Sequence, residues 1–395
     1  MTLFGIETFP GTFIHQKVDS LPVHTDSERW MTAVLTDFAA NSDPATTFRL
    51  ATHQMRYDWS WWKALLRRAG TPAITNGGFV PGGGEIISRM DPKGPKLTYR
   101  FEGDPGPGGL PVTHLYDGMV AAYGWGHSAE LPLIGPDWSH YRWQGFPWIG
   151  WDRTVIVVDA LDAIAWEFLA CYGTQVPDLS VSSYSGREGQ PWPQHIVGPR
   201  SCAHLAVLDL ISSDAPLTSG RDGKTVQPMG TGAGWVSHAA DCLRVEEVRD
   251  VIEGRSEGID HYLHWTGWTS TNGEFIWPSR GTDRKSRKLF GGPPHGAWAR
   301  LTAGYRTDNL PPQTKVIAEG LKKHGMILLD SGGYGINTEA SPVPKSKTDW
   351  TAWQPDALKA LHAIPLDAFE FVDTTGLADG RGPADITSPD YWRVS

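Results

Sequence analysis

The chain has 395 residues, among them 45 Gly, 30 Pro and 19 Trp, and a formal net charge of −9 at pH 7. That length supports a large core, and the many turn formers, with only 20% charged residues, argue against a helical bundle. The negative balance argues against nucleic acid as the main partner, because phosphate contacts need surplus Lys and Arg.

In chain order, the N-terminal MTLFGIETFPG carries no basic segment and no apolar run of signal-peptide length. No stretch approaches the roughly 18 apolar residues of a membrane span. Synthesis in a cytoplasm is therefore expected, with any extracellular role reached by a carrier such as a virion. Asp26–Ala40 reads as a short helix capped by Thr25 or Asp26. Thr46–His53 and Leu97–Glu102 read as strands, and the glycine-rich Gly77–Gly84 and Gly103–Gly109 as loops. Trp59, Trp61 and Trp62 cluster, and Trp125, Trp138, Trp143, Trp148 and Trp151 fall in a stretch with several Pro and Gly. Indole faces stack on sugar C–H groups, so these last five are carbohydrate-binding candidates; core packing is the competing reading.

The clearest hairpin follows, with Thr154–Val158 as one strand, Asp159–Asp162 as the turn and Ala163–Cys171 as the second strand. Further strands are predicted at Gly258–Trp265, Glu274–Trp277 and Trp298–Ala303, and the basic run Arg280–Lys288 reads as a solvated loop. Pro311 and Pro312 suit a helix start, Gln313–Lys323 the helix, and Lys322, Lys323 and His324 its last turn. Gly325 sits where a left-handed cap belongs, and Met326–Leu329 is a short apolar strand ending at Asp330. Pro355–Ile364 reads as a last helix. Many strands, long loops and few helices predict a mainly β fold, a jelly-roll-like two-sheet β-sandwich. It forms one large domain over residues 1–395, with a helix–strand subregion over 305–395 packed on it.

Glu167 is the first catalytic candidate. Alternation along its strand puts it on one side with Ala163, Ala165 and Leu169, and Ile164, Trp166 and Phe168 on the other. A carboxylate on such a face is either a general acid tuned by burial or an ion-pair partner of a residue such as Arg153. Glycoside hydrolysis needs two carboxylates; Asp152, Asp159, Asp260 and Asp330 are the available partners, with Asp330 and Asp152 foremost. Asp330 also reads as a turn residue bonding the backbone of Gly332.

Other patterns carry less. Asp330–Gly333 (DSGG) lacks the context of a serine-protease loop. Gly230–Gly234 and Gly82–Gly84 lack the Lys-Ser/Thr ending of a phosphate loop. His261 and His264 point to opposite sides of a predicted strand, and Cys171, Cys202 and Cys242 include no C-x-x-C pair. Neither a metal site nor a cofactor is expected.

Four segments resemble, in order, an uncharacterised β-rich actinobacterial family that includes minor tail proteins of actinobacteriophages of the mycobacteriophage type. They are Val18–Trp30, Trp151–Leu169, Gly234–Trp265 and Leu310–Gly333. Asp152 and His261 match the family's acid and histidine, whereas Thr154 stands where the family has His. The resemblance implies a virion component that engages host cell-envelope carbohydrate. Its partners would be other tail proteins, host cell-wall glycan and further copies of the chain, without nucleic acid or membrane insertion. A glycoside hydrolase acting on actinobacterial cell-wall polysaccharide and a purely structural tail-tip module are the alternatives.

Overall fold

The computed structural model describes residues 2–41, 86–89, 96–101, 110–114, 128–132, 155–169, 202–211, 234, 236–267, 275–279, 291–331, 335–339, 345–361 and 363–377. The predicted strand Thr46–His53, both glycine loops, the basic run, Asp152 and both tryptophan clusters lie outside these residues. The strands are β1 (Thr2–Leu3), β2 (Ile6–Glu7), β3 (Ile86–Arg89), β4 (Lys96–Phe101), β5 (Leu110–His114), β6 (Ser128–Pro132) and β7 (Val155–Asp159). They continue with β8 (Ile164–Leu169), β9 (Cys202–Asp209), β10 (Leu263–Gly267), β11 (Trp298–Leu301), β12 (Met326–Ser331), β13 (Gly335–Ile336) and β14 (Phe369–Phe371). The helices are α1 (Ser27–Asn41), α2 (His238–Asp241), α3 (Val245–Ile252), α4 (Pro312–Lys323) and α5 (Pro355–Leu361).

Two large sheets organise these elements, a seven-stranded one ordered β3-β7-β8-β9-β5-β4-β6 and a five-stranded one ordered β13-β10-β12-β11-β14. Jelly rolls are built from antiparallel strands. Here β3–β7, β4–β5, β5–β9 and β10–β12 run parallel, and helices pack on the smaller sheet. The described architecture is thus two sheets in a mixed α and β fold. Strand periodicity fixes which face a residue takes but not which strand pairs with which.

Strand β12 shows why the layers stack. Met326 and Leu328 join a core with Trp30 and Val34 of α1, Val248 of α3, Ile317 and Leu321 of α4 and Leu358 of α5. Ile327 and Leu329, which alternate with them, join a second core with Ile156 and Val158 of β7, Ala165 of β8 and Leu208 of β9. Helices cover one face of β12 and the seven-stranded sheet the other, so the strand reads as an uninterrupted apolar run. Full burial of each of these four side chains contributes about 1.5–3 kcal/mol. The same alternation on β10 sends Leu263 and Trp265 to the helices and leaves His264 facing the layer between the sheets.

The N-terminal segment ties both sheets together. The Phe9 N–H donates to the Leu210 carbonyl beyond β9, and the Tyr262 N–H donates to the Ile14 carbonyl. Arg300 of β11 donates to the carbonyls of Val18 and Leu21 and pairs with Glu370 of β14 at 2.8 Å.

Most predicted element types match where they are described. The helix at 26–40 is α1, the helix at 313–323 is α4, and the hairpin is β7–β8. Its turn is held by Asp159 Oδ1, which accepts from Leu161 N–H at 2.9 Å and Asp162 N–H at 3.3 Å. Of the predicted strand Glu274–Trp277, the described residues 275–277 form only an isolated bridge, Phe275 to His295, and the predicted strand 258–265 begins at Leu263. Gly325 adopts φ +68, and a Cβ there would stand 2.4 Å from the Ala299 carbonyl oxygen. Gly325→Ala is therefore expected to destabilise the fold by at least about 2 kcal/mol, measured as a lowered denaturation midpoint at unchanged slope.

Candidate functional site

The layer between the sheets holds a cluster of polar groups in an otherwise apolar core. It begins at β8, where Ala163, Ala165 and Glu167 alternate onto the buried face while Ile164 and Trp166 are half-buried on the other. Glu167 is 0% exposed. Its Oε2 accepts from Ser237 Oγ–H at 2.7 Å and from the Ala239 N–H at 3.3 Å. Ser237 caps α2, accepting from the same Ala239 N–H at 3.0 Å. One carboxylate of the larger sheet thus holds the start of a helix packed against the smaller one, with negative charge at the favourable helix end.

α2 then delivers two functional groups. His238 and Asp241 are three residues apart and share a face. His264 of β10 meets both, with its Nδ1 2.9 Å from Asp241 Oδ2 and its ring stacked on His238 at a centroid distance of 4.7 Å. One ring nitrogen of each histidine and one oxygen of Asp241 lie within 4.8 Å of one another, making these three the metal-capable set of the described residues. Tyr262 donates to Asp241 Oδ2 at 3.4 Å, and Asn337 Nδ2 lies 3.2 Å from His238 Nδ1. Burial pushes the Asp241 carboxyl up to about 7, against the opposing pull of His238 and His261. Burial pushes His264 down to about 3, so its ring is neutral over the physiological range.

A second ionic cluster adjoins the first. His261 Nε2 lies 2.9 Å from Glu247 Oε2 of α3, and Glu247 Oε1 accepts from the Arg244 N–H at 2.6 Å. Burial pushes Glu247 up, but His261 and Arg244 outweigh it and hold the carboxyl below its ordinary range. Burial likewise pushes His261 down, and Glu247 reverses this to a net rise. Both directions describe an ion pair. Glu339 closes the cluster, accepting from the Val245 N–H at 3.1 Å; burial raises its carboxyl to about 7 despite Arg244.

The candidates from the sequence separate here. Glu167 lies in the polar layer. Asp330, near the end of β12, is paired in register with Thr266 and partly exposed. Asp159 is the hairpin-turn residue, and Asp260 is a largely exposed partner of His15 at 3.9 Å. His261 and His264 do turn to different partners, Glu247 and Asp241. The expectation of no metal site weighed that pair and the three cysteines, and neither His238 nor Asp241. Sequence reasoning missed His238 and Asp241, whose signal is a His-x-x-Asp spacing after an N-capping Ser.

No model of a known family, no curated protein and no solved structure matches the chain. Among the described residues, no helix is long and apolar enough to cross a membrane.

Two outcomes follow from this geometry. Glu167→Ala leaves the buried Ser237 hydroxyl without its acceptor and is expected to cost about 1–3 kcal/mol in chemical denaturation. Glu339→Gln tests the raised carboxyl. Unfolded, Glu339 ionises near 4.5; folded, near 7. Between those values the folded chain binds the extra proton, so stability from this group is full below 4.5 and falls as pH rises to 7. Relative to the wild type, the Gln variant should gain about 3 kcal/mol between pH 4 and pH 8, read from parallel denaturation curves.

Proposed function

We propose that this chain is a virion component, of the minor tail protein type its sequence resembles, that engages host cell-envelope carbohydrate during adsorption. In this reading the stacked sheets play the part of a jelly-roll-like frame that holds sugar-contacting loops. Trp138, Trp143, Trp148 and Trp151 lie in sequence between β6, at one edge of the seven-stranded sheet, and β7, beside the other edge. The partners are other tail proteins, cell-wall glycan and further copies of the chain.

The observation that favours recognition over hydrolysis is the state of Glu167. A general acid must reach the glycosidic oxygen. Glu167 is fully buried and its Oε2 is engaged by a serine hydroxyl and a helix amide. It serves the fold rather than a cleft.

The test is incubation of the purified chain with actinobacterial cell wall, scoring co-sedimentation and soluble sugar in the same tubes. Co-sedimentation without sugar release is expected, with Trp143→Ala and Trp148→Ala together weakening retention at least about tenfold. Sugar release that is lost in Asp330→Asn, or in a still-folded Glu167→Gln, would instead make the chain a glycoside hydrolase. Neither binding nor release would leave a structural tail-tip module.

A further inference from the structure

We propose that His238, Asp241 and His264 bind a divalent first-row transition ion of the zinc type, closing the polar layer between the sheets as a structural centre. Four observations carry this, and none depends on the carbohydrate reading.

First, donor atoms from all three side chains converge within 4.8 Å, from a helix and a neighbouring strand that the fold already holds together. Two imidazoles and one carboxylate suit Zn²⁺ and its neighbours, whereas Mg²⁺ and Ca²⁺ prefer oxygen ligands alone.

Second, the cluster contains donor atoms with nothing to bind. Asp241 and His264 are 0% exposed, and among the described residues neither Asp241 Oδ1 nor His264 Nε2 has a hydrogen-bond partner. Leaving such groups unsatisfied costs about 1–3 kcal/mol each, more when charged. A cation beside the carboxylate takes the lone pair of Asp241 Oδ1 together with that of His264 Nδ1, the ring nitrogen that faces Asp241.

Third, Asn337 is placed to set the tautomer of His238. Its Nδ2 lies 3.2 Å from His238 Nδ1, while its Oδ1 is buried without a partner. Amide oxygen and nitrogen are interchangeable by a flip. With the oxygen toward the ring it accepts Nδ1–H, which is the tautomer that carries the ring's lone pair on Nε2.

Fourth, the charge balances. Two neutral imidazoles and one carboxylate leave a dication with one positive charge. Glu167 stands close enough for its charge to act on His264 and Tyr262, and it supplies the remaining negative charge from outside the ligand set. Three protein ligands leave the fourth tetrahedral position to a further donor such as water, and full burial keeps the ion from bulk solvent, which suits a structural role with the ion captured as the chain folds.

The test uses the full chain, purified without chelator and analysed for metal by inductively coupled plasma mass spectrometry. It is then stripped with a chelator and titrated with Zn²⁺ and Co²⁺. Expected are about one metal equivalent per chain, a visible ligand-field spectrum with Co²⁺, and a Tm that falls on stripping and returns with Zn²⁺. His264→Gln and Asp241→Asn should each lose the equivalent and the Tm response while keeping the far-ultraviolet circular dichroism of the fold. Asn337→Ala should weaken Co²⁺ binding about 10–100-fold, as loss of a group orienting a ligand does. A wild-type chain with neither bound metal nor a Tm response to Zn²⁺ would overturn the proposal, whatever the variants do. So would metal binding that survives in folded His264→Gln or that disappears in His15→Gln and His24→Gln, which alter histidines outside the cluster.

Discussion

The fold turns on one buried carboxylate. Glu167 leaves the seven-stranded sheet and accepts hydrogen bonds from the Ser237 hydroxyl and the Ala239 amide of α2. That link fixes where α2 begins, and hence where His238 and Asp241 point. Their meeting with His264 follows, because β10 is held in register against β12 at the centre of the smaller sheet. The apolar contacts between the sheets, such as Ile327 and Leu329 against Ile156, Val158 and Leu208, are stronger in sum but non-directional. The hydrogen bonds to Glu167 select one docking of the sheets among those that would bury similar area.

Such a layer is costly to build. Buried carboxylates and imidazoles lose hydration, and in a low-dielectric interior only good partners restore it. Two solutions stand side by side. Around Glu247 the protein supplies its own counter-charges, His261 and Arg244. Around Asp241 the protein supplies neutral groups, Tyr262 and His264, and leaves lone pairs turned inward. This difference between neighbouring clusters is the physical basis for placing a cation in the second and not the first.

The sequence was legible where local rules decide. The caps and apolar face of α4, the left-handed Gly325, the Asp159 turn and the burial of the Glu167 face all follow from spacing and residue type. Strand partners were not legible, because three of the four parallel pairings bring together segments far apart in the chain and periodicity carries no pairing information. Helix α3 (VEEVRDVI) was missed, although Val245 and Val248 recur at helical spacing and Glu246 and Glu247 sit in its first turn. The polar cluster was invisible for a related reason. His264 was weighed against its sequence neighbour His261, whereas its partners lie 23 and 26 positions upstream, at Asp241 and His238. Glu167 was singled out for its place on an apolar face, but its partner across the layer, Ser237, carries no signal until the sheets are stacked.

A double-mutant cycle between Glu167→Gln and Ser237→Ala, read as unfolding free energies at one pH, tests the central link most directly. The account predicts a coupling of at least about 1 kcal/mol, as for a buried hydrogen bond to a charged group. Strictly additive effects of the two substitutions would contradict it and detach the position of α2 from Glu167.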